Sequence, residues 1–79
     1  MKLDLYYYTE CGFSRSVLNT ITNLKIQDQI VLKNIRENPD FDKELTQLCG
    51  DNKVPTLVID GKPMRESEDI KAFLVSEFM

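Results

Sequence analysis

Residues 3–15 read Leu-Asp-Leu-Tyr-Tyr-Tyr-Thr-Glu-Cys-Gly-Phe-Ser-Arg, and this stretch decides the fold because it joins a strand to a helix. Side chains alternate between apolar and polar over residues 2–8, which predicts a β-strand. Residues 9–12 predict a turn. Apolar residues then recur at helical spacing: Phe13, Val17, Leu18, Ile21 and Leu24. Cys11 therefore lies between a strand and the first turn of a helix.

Five further elements follow along the chain. They are a strand at residues 30–32, a helix with Asn38 as cap, Pro39 at its first position and Gly50 at its end, a strand at Thr56–Ile59, a strand at Lys62–Met64 after the Asp60-Gly61 turn, and a last helix capped by Ser67. The order β-α-β-α-β-β-α predicts an α/β chain with the plan of a minimal thioredoxin fold. Its four-stranded mixed sheet combines a parallel βαβ unit with an antiparallel hairpin, in one domain over residues 1–79.

The composition excludes several function classes. The 79 residues include ten basic and thirteen acidic side chains, so the net charge of -3 offers no basic stripe for nucleic acid. No apolar run approaches the roughly 20 residues of a membrane span, and the chain starts without a signal-peptide pattern, which predicts a cytoplasmic protein. Histidine, the commonest metal ligand, is absent. In the cytoplasm, two cysteines are expected to serve chemistry or packing rather than a structural disulfide.

Cys11 is the candidate nucleophile. The free N–H groups and the dipole of a helix N-terminus stabilise a thiolate and lower the pKa of the thiol. Arg15 would add positive charge and Tyr8 would flank the sulfur, whereas the charge of Glu10 would raise the pKa if it lay close. Ser14 stands where a dithiol protein has its second cysteine, so another thiol must resolve any mixed disulfide on Cys11. The alternative reading is that Cys11 is only a small residue in a turn.

Three motifs resemble known families. Cys11-Gly12-Phe13-Ser14 matches the Cys-Gly-Phe-Ser signature of monothiol glutaredoxins, including the arginine that often follows. Val54-Pro55-Thr56 resembles the Val-Pro segment of glutaredoxins and of glutathione transferase N-terminal domains, in which the proline is cis. Residues 61–70 resemble the Glu-Ser segment of the transferase domains. A Trp-Pro pair and a Gly-Gly pair of the monothiol glutaredoxins are missing, and Arg65-Glu66 stands in place of the latter.

The resemblance implies glutathione as the partner and names its binding residues. They are Lys53, Val54, Pro55, Glu66 and Ser67. The Val54 backbone would pair with the extended tripeptide. The N-terminus of the last helix, with Ser67, would receive the γ-glutamyl carboxylate. Glu66, Glu68 or Asp69 would hold the ammonium group, and Lys53 or Arg15 the glycine carboxylate.

Three functions remain open from the sequence. The first is a monomeric glutathione-dependent thiol–disulfide oxidoreductase of the glutaredoxin type, which serves redox homeostasis and electron transport by removing glutathione from proteins or small disulfides through Cys11. The second is a homodimeric carrier of an iron–sulfur cluster, held by Cys11 of two chains and two glutathiones. The third is a module that binds glutathione or a partner without turnover. Cys49 is expected to be a buried small apolar residue.

Overall fold

The fold is an α/β arrangement with a four-stranded mixed sheet. A computed structural model describes residues 1–79. Its elements are β1 (Leu3–Tyr7), α1 (Gly12–Leu24), a short 3-10 helix (Gln27–Gln29), β2 (Val31–Asn34), α2 (Pro39–Cys49), β3 (Thr56–Ile59), β4 (Lys62–Met64) and α3 (Ser67–Phe78). The strand order is β2-β1-β3-β4; β1 and β2 are parallel, and the other two pairs are antiparallel. The predicted plan of a minimal thioredoxin fold is confirmed. None of the helices has the length and apolar character that a membrane span requires.

Both faces of the central strands are buried, because helices cover the two sides of the sheet. Leu3 and Leu5 of β1 face α1 and α3, whereas Tyr6 faces α2. The larger core contains Leu3, Leu5, Val17, Ile21, Ile26, Ile30, Leu57, Ile70 and Leu74, and the smaller one contains Tyr6, Ile35, Leu45 and Val58. β1 is thereby held as a central strand of the sheet, and the short turn after it leads into α1.

Two predicted elements differ from the structure. Phe13 was expected on the apolar face of α1, but it is 69% exposed. Ser14 is the fully buried residue of the first turn. The residues of α1 that point inward are Ser14, Val17 and Ile21, which are spaced three and four positions apart. Residue 13 falls outside this spacing and points outward. The second strand begins at Val31 rather than at residue 30 and includes the polar residues 33 and 34, because β2 lies at the edge of the sheet.

Turn and helix ends follow the predicted chemistry in most places. Gly50 ends α2 with a φ of 83°, and Asp60 and Gly61 form the β3–β4 turn with φ values of 49° and 88°. Asn38 caps α2, since its Oδ1 accepts a hydrogen bond from the Asp40 N–H at 2.9 Å. The prediction that Ser67 caps α3 is wrong. Ser67 is the first residue of that helix, and Glu66 holds the cap position without a capping side-chain bond.

The Asn38→Ala variant should lower the free energy of unfolding by about 1 kcal/mol, because it leaves an N–H group of α2 without its acceptor. Urea unfolding followed by circular dichroism measures the change. Asn19→Ala is the matched control, since Asn19 is exposed on α1 and forms no side-chain hydrogen bond within the chain. Equal destabilisation by the two substitutions would contradict the capping role.

Candidate active site

Cys11 is the N-cap residue of α1. Its backbone is extended, with φ -89° and ψ 121°, and its carbonyl accepts the first helical hydrogen bond from the Arg15 N–H at 3.0 Å. The N–H groups of residues 12–14 therefore have no backbone acceptor. In most capped helices, a side-chain oxygen of the residue at this position accepts a hydrogen bond from one of these N–H groups. Here the position belongs to a sulfur atom.

These donors control the ionisation of the thiol. Burial is the largest single influence on the pKa of Cys11 and raises it. Hydrogen bonds from the Ser14 backbone, the Ser14 side chain and the Phe13 backbone, together with the charge of Arg15, outweigh burial and lower the pKa of the Cys11 thiol. The Ser14 hydroxyl is buried and has no other hydrogen-bond partner. It can therefore donate to the sulfur of Cys11 when that sulfur is ionised.

The charged neighbours of Cys11 have separate partners. Arg15 Nη1 donates to the Thr9 carbonyl at 3.0 Å, which holds its charge near the start of α1. The Glu10 carboxylate pairs with Arg36 at 3.3 Å, and it is not among the main influences on the pKa of Cys11. The Arg36 guanidinium also stacks on the Tyr8 ring, 3.7 Å from its centre, so the ring serves this stack and the second core.

A hollow of about 140 Å³ lies at the start of α1 and α3. Its walls are Phe13, Lys53, Val54, Pro55, Arg65, Glu66 and Ser67. All five residues that the sequence assigns to glutathione therefore line one cavity, together with the exposed aromatic residue two positions after the cysteine. Lys53 and Glu66 form an ion pair at 3.7 Å within it, and both side chains remain largely exposed. Arg15 is not part of these walls, so of the two candidates for the glycine carboxylate only Lys53 lies here.

Several backbone groups at this hollow, those of Val54 and the first N–H groups of α3, have no hydrogen-bond partner within the chain. Val54 lies outside the strands, and no hydrogen bond of the loops and turns involves its N–H or its carbonyl. The Val54–Pro55 bond is cis, as the resemblance implies. α3 begins without a side-chain cap, and its first internal bond runs from the Ile70 N–H to the Glu66 carbonyl, so the N–H groups of residues 67–69 are also free. Such groups bind the backbone and the carboxylates of a peptide.

Sequence reasoning missed two features of this region. Arg65 lines the hollow and also bonds to the segment before β3, and its only sequence signal is its place directly before Glu66-Ser67. A second, more polar hollow of about 420 Å³ shares Lys53 and Val54 with the first and adds Tyr8, Arg36 and Asn52 among its walls. Cys49 is partly buried against the second core, which agrees with its expected packing role.

Comparison with known proteins identifies the family. The family model described as glutathione S-transferase, N-terminal domain, matches residues 5–78. The chain belongs to this family. The match confirms the transferase-domain part of the resemblance, which the Val-Pro and Glu-Ser segments carry. No curated protein sequence matches the chain.

Solved structures of glutathione transferases share the fold. Isozyme E7 from Drosophila melanogaster is 32% identical, with a TM-score of 0.71 over 98% of this chain and 35% of that one. Unclassified transferase 2 from Bombyx mori is 22% identical, with a TM-score of 0.80 over 99% and 36%. A transferase homologue from Drosophila mojavensis with bound glutathione is 23% identical, with a TM-score of 0.77 over 98% and 35%. The chain thus spans about a third of the length of these structures.

The Ser14→Ala variant should raise the pKa of Cys11, because it removes the hydroxyl but keeps both backbone donors. A hydrogen bond to a charged group contributes about 1.5 kcal/mol, so the thiolate fraction at pH values below the midpoint should fall by about tenfold. The rate of alkylation by iodoacetamide against pH, in a Cys49→Ser background, gives the midpoint. In the unmutated site this midpoint should lie below that of an unstructured cysteine.

Ser76→Ala provides the control for this measurement, since Ser76 is an exposed serine of α3. A midpoint that moves equally in both variants, or not at all in Ser14→Ala, would contradict the role of the Ser14 hydroxyl.

Proposed function

We propose that the chain is the glutathione-binding, thiol-bearing domain of a glutathione-dependent thiol–disulfide oxidoreductase, with Cys11 as its nucleophile. The observation that carries the proposal is the sulfur of Cys11 at the N-cap of α1, where its pKa is lowered. Family membership and the walls of the adjacent hollow support glutathione as the second substrate. We propose further that it acts as a monomer in the cytoplasm, on glutathionylated proteins or small disulfides.

The free groups of the hollow match the groups of glutathione. The Val54 N–H and carbonyl can pair with the cysteinyl unit of the tripeptide, as an added strand pairs with a sheet edge. The N–H groups at the start of α3 and the Ser67 hydroxyl can receive the γ-glutamyl carboxylate. The Lys53–Glu66 ion pair would open so that Glu66 holds the ammonium group and Lys53 the glycine carboxylate. An exposed pair costs at most about 1 kcal/mol to break, so the exchange is accessible.

The reaction consists of two thiol–disulfide exchanges. The Cys11 thiolate attacks the glutathione sulfur of a mixed disulfide; the substrate's S–S bond breaks, a Cys11–glutathione disulfide forms, and the substrate thiolate leaves and takes a proton from water. A second glutathione thiolate then attacks the glutathione sulfur bound to Cys11. Oxidised glutathione leaves, and the Cys11 thiolate returns to the N–H groups of α1. Ser14 cannot form a disulfide, so the second glutathione is required.

Conjugation of glutathione to an electrophile is the second candidate, because the matching family model is a transferase domain. In that reaction the donors at α1 would stabilise the thiolate of glutathione. Cys11 competes with this arrangement, since its own thiolate would hold the same donors. The cysteine therefore favours disulfide exchange over conjugation. The cluster-carrying homodimer stays a prediction of the sequence; within one chain, no group of three or more His, Cys, Asp or Glu side chains could hold a metal ion.

Turnover of a glutathionylated peptide in the presence of glutathione should depend on Cys11 and not on Cys49. Cys11→Ser should reduce the rate to that of the uncatalysed exchange, because no thiolate remains to accept glutathione. Cys49→Ser is the matched control and should keep the rate, since the Cys49 thiol takes no part in the two exchanges. The release of oxidised glutathione, coupled to its reductase, gives the rates.

The opposite pattern, with turnover lost in Cys49→Ser and kept in Cys11→Ser, would contradict the proposal. The same two variants also separate the second candidate. If Cys11→Ser conjugates glutathione to an aryl chloride faster than the unmutated chain does, conjugation is the better assignment. If neither variant nor the unmutated chain conjugates, that assignment fails.

A further inference from the structure

Arg65 connects the end of β4 to the segment that precedes β3. Its guanidinium group donates to the Lys53 carbonyl at 3.2 Å, to Thr56 Oγ1 at 3.3 Å and to both carboxylate oxygens of Asp51. The Arg65 side chain is 25% exposed; its bond to Thr56 is partly buried, whereas its bonds to Asp51 and to the Lys53 carbonyl are exposed. The Thr56 hydroxyl adds a bond to the Lys53 carbonyl at 2.8 Å, and the Lys53 N–H donates to Asp51 at 3.0 Å.

From this network we propose that Arg65 is a positioning residue for the glutathione site. It fixes the backbone of residues 51–56 in the shape in which the peptide groups of Val54 face the hollow. The inference rests on the proposed function, because it concerns the same site. It adds a role for a residue that neither the sequence motifs nor the family match assigns.

Bonded and free backbone groups lie next to each other in this segment. Both polar backbone groups of Lys53 are bonded within the chain, whereas both groups of Val54, the next residue, are free. Residues 51–55 lie between α2 and β3, outside the helices and strands, so without the network they would have no hydrogen bond to hold them. A ligand that pairs with Val54 would then have to order this segment itself, at a cost to its affinity.

The chemistry of the side chain supports a clamp rather than a simple charge. An arginine presents five donors in a rigid plane and can bond to a carboxylate with two of them, which a lysine cannot do. The hydrogen bond from Arg65 is the largest cause of a lowered pKa at Asp51, and the same bond is the largest cause of a raised pKa at Arg65. The two groups thus remain oppositely charged together over the whole neutral range.

Asp51 provides the test that separates positioning from direct contact. Arg65 lines the hollow, so a loss of binding in Arg65→Gln alone could arise from a lost contact with the ligand. Asp51 does not line the hollow, and it touches the site only through Arg65 and the Lys53 N–H. A positioning role therefore requires that Asp51→Ala also weakens binding, although it removes a negative charge near an anionic ligand.

The experiment titrates reduced glutathione into the full chain with Cys11→Ser and follows amide shifts by NMR. Arg65→Gln and Asp51→Ala should each weaken binding about tenfold, which corresponds to about 1.4 kcal/mol. The double variant should bind glutathione about as tightly as either single variant, because both substitutions break the same network. Arg65→Lys, which keeps the charge without the planar fork, should not restore the affinity. Hydrogen exchange of the Lys53 amide, which donates to Asp51, should accelerate in all of these variants before any glutathione is added.

Lys71→Gln is the control for a general loss of stability. Lys71 bonds to Ser16 at 2.8 Å and to Glu68, so its substitution weakens the α1–α3 contact and leaves residues 51–56 untouched. Glutathione affinity should be unchanged in this variant. The rate of Cys11 alkylation, measured with Cys11 restored, should change little in Arg65→Gln, since Arg65 is not among the main influences on the pKa of that thiol.

Three results would overturn the inference. Unchanged affinity or unchanged exchange of the Lys53 amide in Arg65→Gln would show that the network does not order the site. Full affinity in Asp51→Ala with weak binding in Arg65→Gln would make Arg65 a direct ligand. Equal weakening by Lys71→Gln would reduce the effect to stability. Failure of the unmutated site is a different result: if millimolar glutathione shifts no amide of the chain with Arg65 intact, the proposed glutathione site itself fails, and the role of Arg65 in it fails as well.

Discussion

The sulfur of Cys11 takes the place that a capping oxygen takes in an ordinary helix, and the site depends on this substitution. The contrast lies within the same chain: α2 begins at Asn38, whose side-chain oxygen satisfies an N–H group, while α1 begins at Cys11. A neutral thiol is a poor acceptor, so the donors at α1 are best satisfied when the sulfur is ionised. The helix therefore gains a cap only in the reactive form of the cysteine.

This constraint also affects the second half of the reaction. A thiolate that is stabilised by the protein is a good leaving group, because the exchange rate rises as the pKa of the departing thiol falls. Attack by a second glutathione on the Cys11 disulfide returns the charge to the N–H groups of Phe13 and Ser14. The same donors thus favour formation of the nucleophile and its release. The fold supplies the geometry: β1 ends in the centre of the sheet, buried on both faces, and sets the start of α1.

The sequence was sufficient where local chemistry decides the structure. Asn38-Pro39 and Gly50 bound α2, Asp60-Gly61 forms the hairpin, and the alternation over residues 2–8 predicts β1, although both of its faces are buried. Motifs whose order along the chain matches known domains predict Lys53, Pro55 and Glu66 as glutathione contacts, and these three residues line one hollow. Ser67 was predicted as the cap because a serine that precedes two acidic residues suits either the cap position or the first position of a helix. In the structure it holds the first position of α3.

Long-range contacts could not be predicted in this way. The sequence left open whether Glu10 lies close enough to oppose the thiolate; in the structure it pairs with Arg36, which is 26 positions away. The clamp of Arg65 on Asp51 spans 14 positions and exists only because the β3–β4 hairpin returns the chain to the segment before β3. Phe13 fits the apolar spacing of α1, yet it lies on the surface because the helix turns the next residue, Ser14, toward the core. In each case the surroundings of the residue are set by the packed fold and not by its neighbours in sequence.

The most direct test of the account is the position of glutathione after reaction. The unmutated chain is incubated with oxidised glutathione, quenched with acid and mapped by peptide mass spectrometry. One glutathione should be found on Cys11, it should form faster than on Cys49, and it should disappear when reduced glutathione is added. Glutathione on Cys49 with Cys11 unmodified, or a Cys11 adduct that excess glutathione cannot remove, would contradict the central claim that the capping thiolate of α1 is the exchanging group.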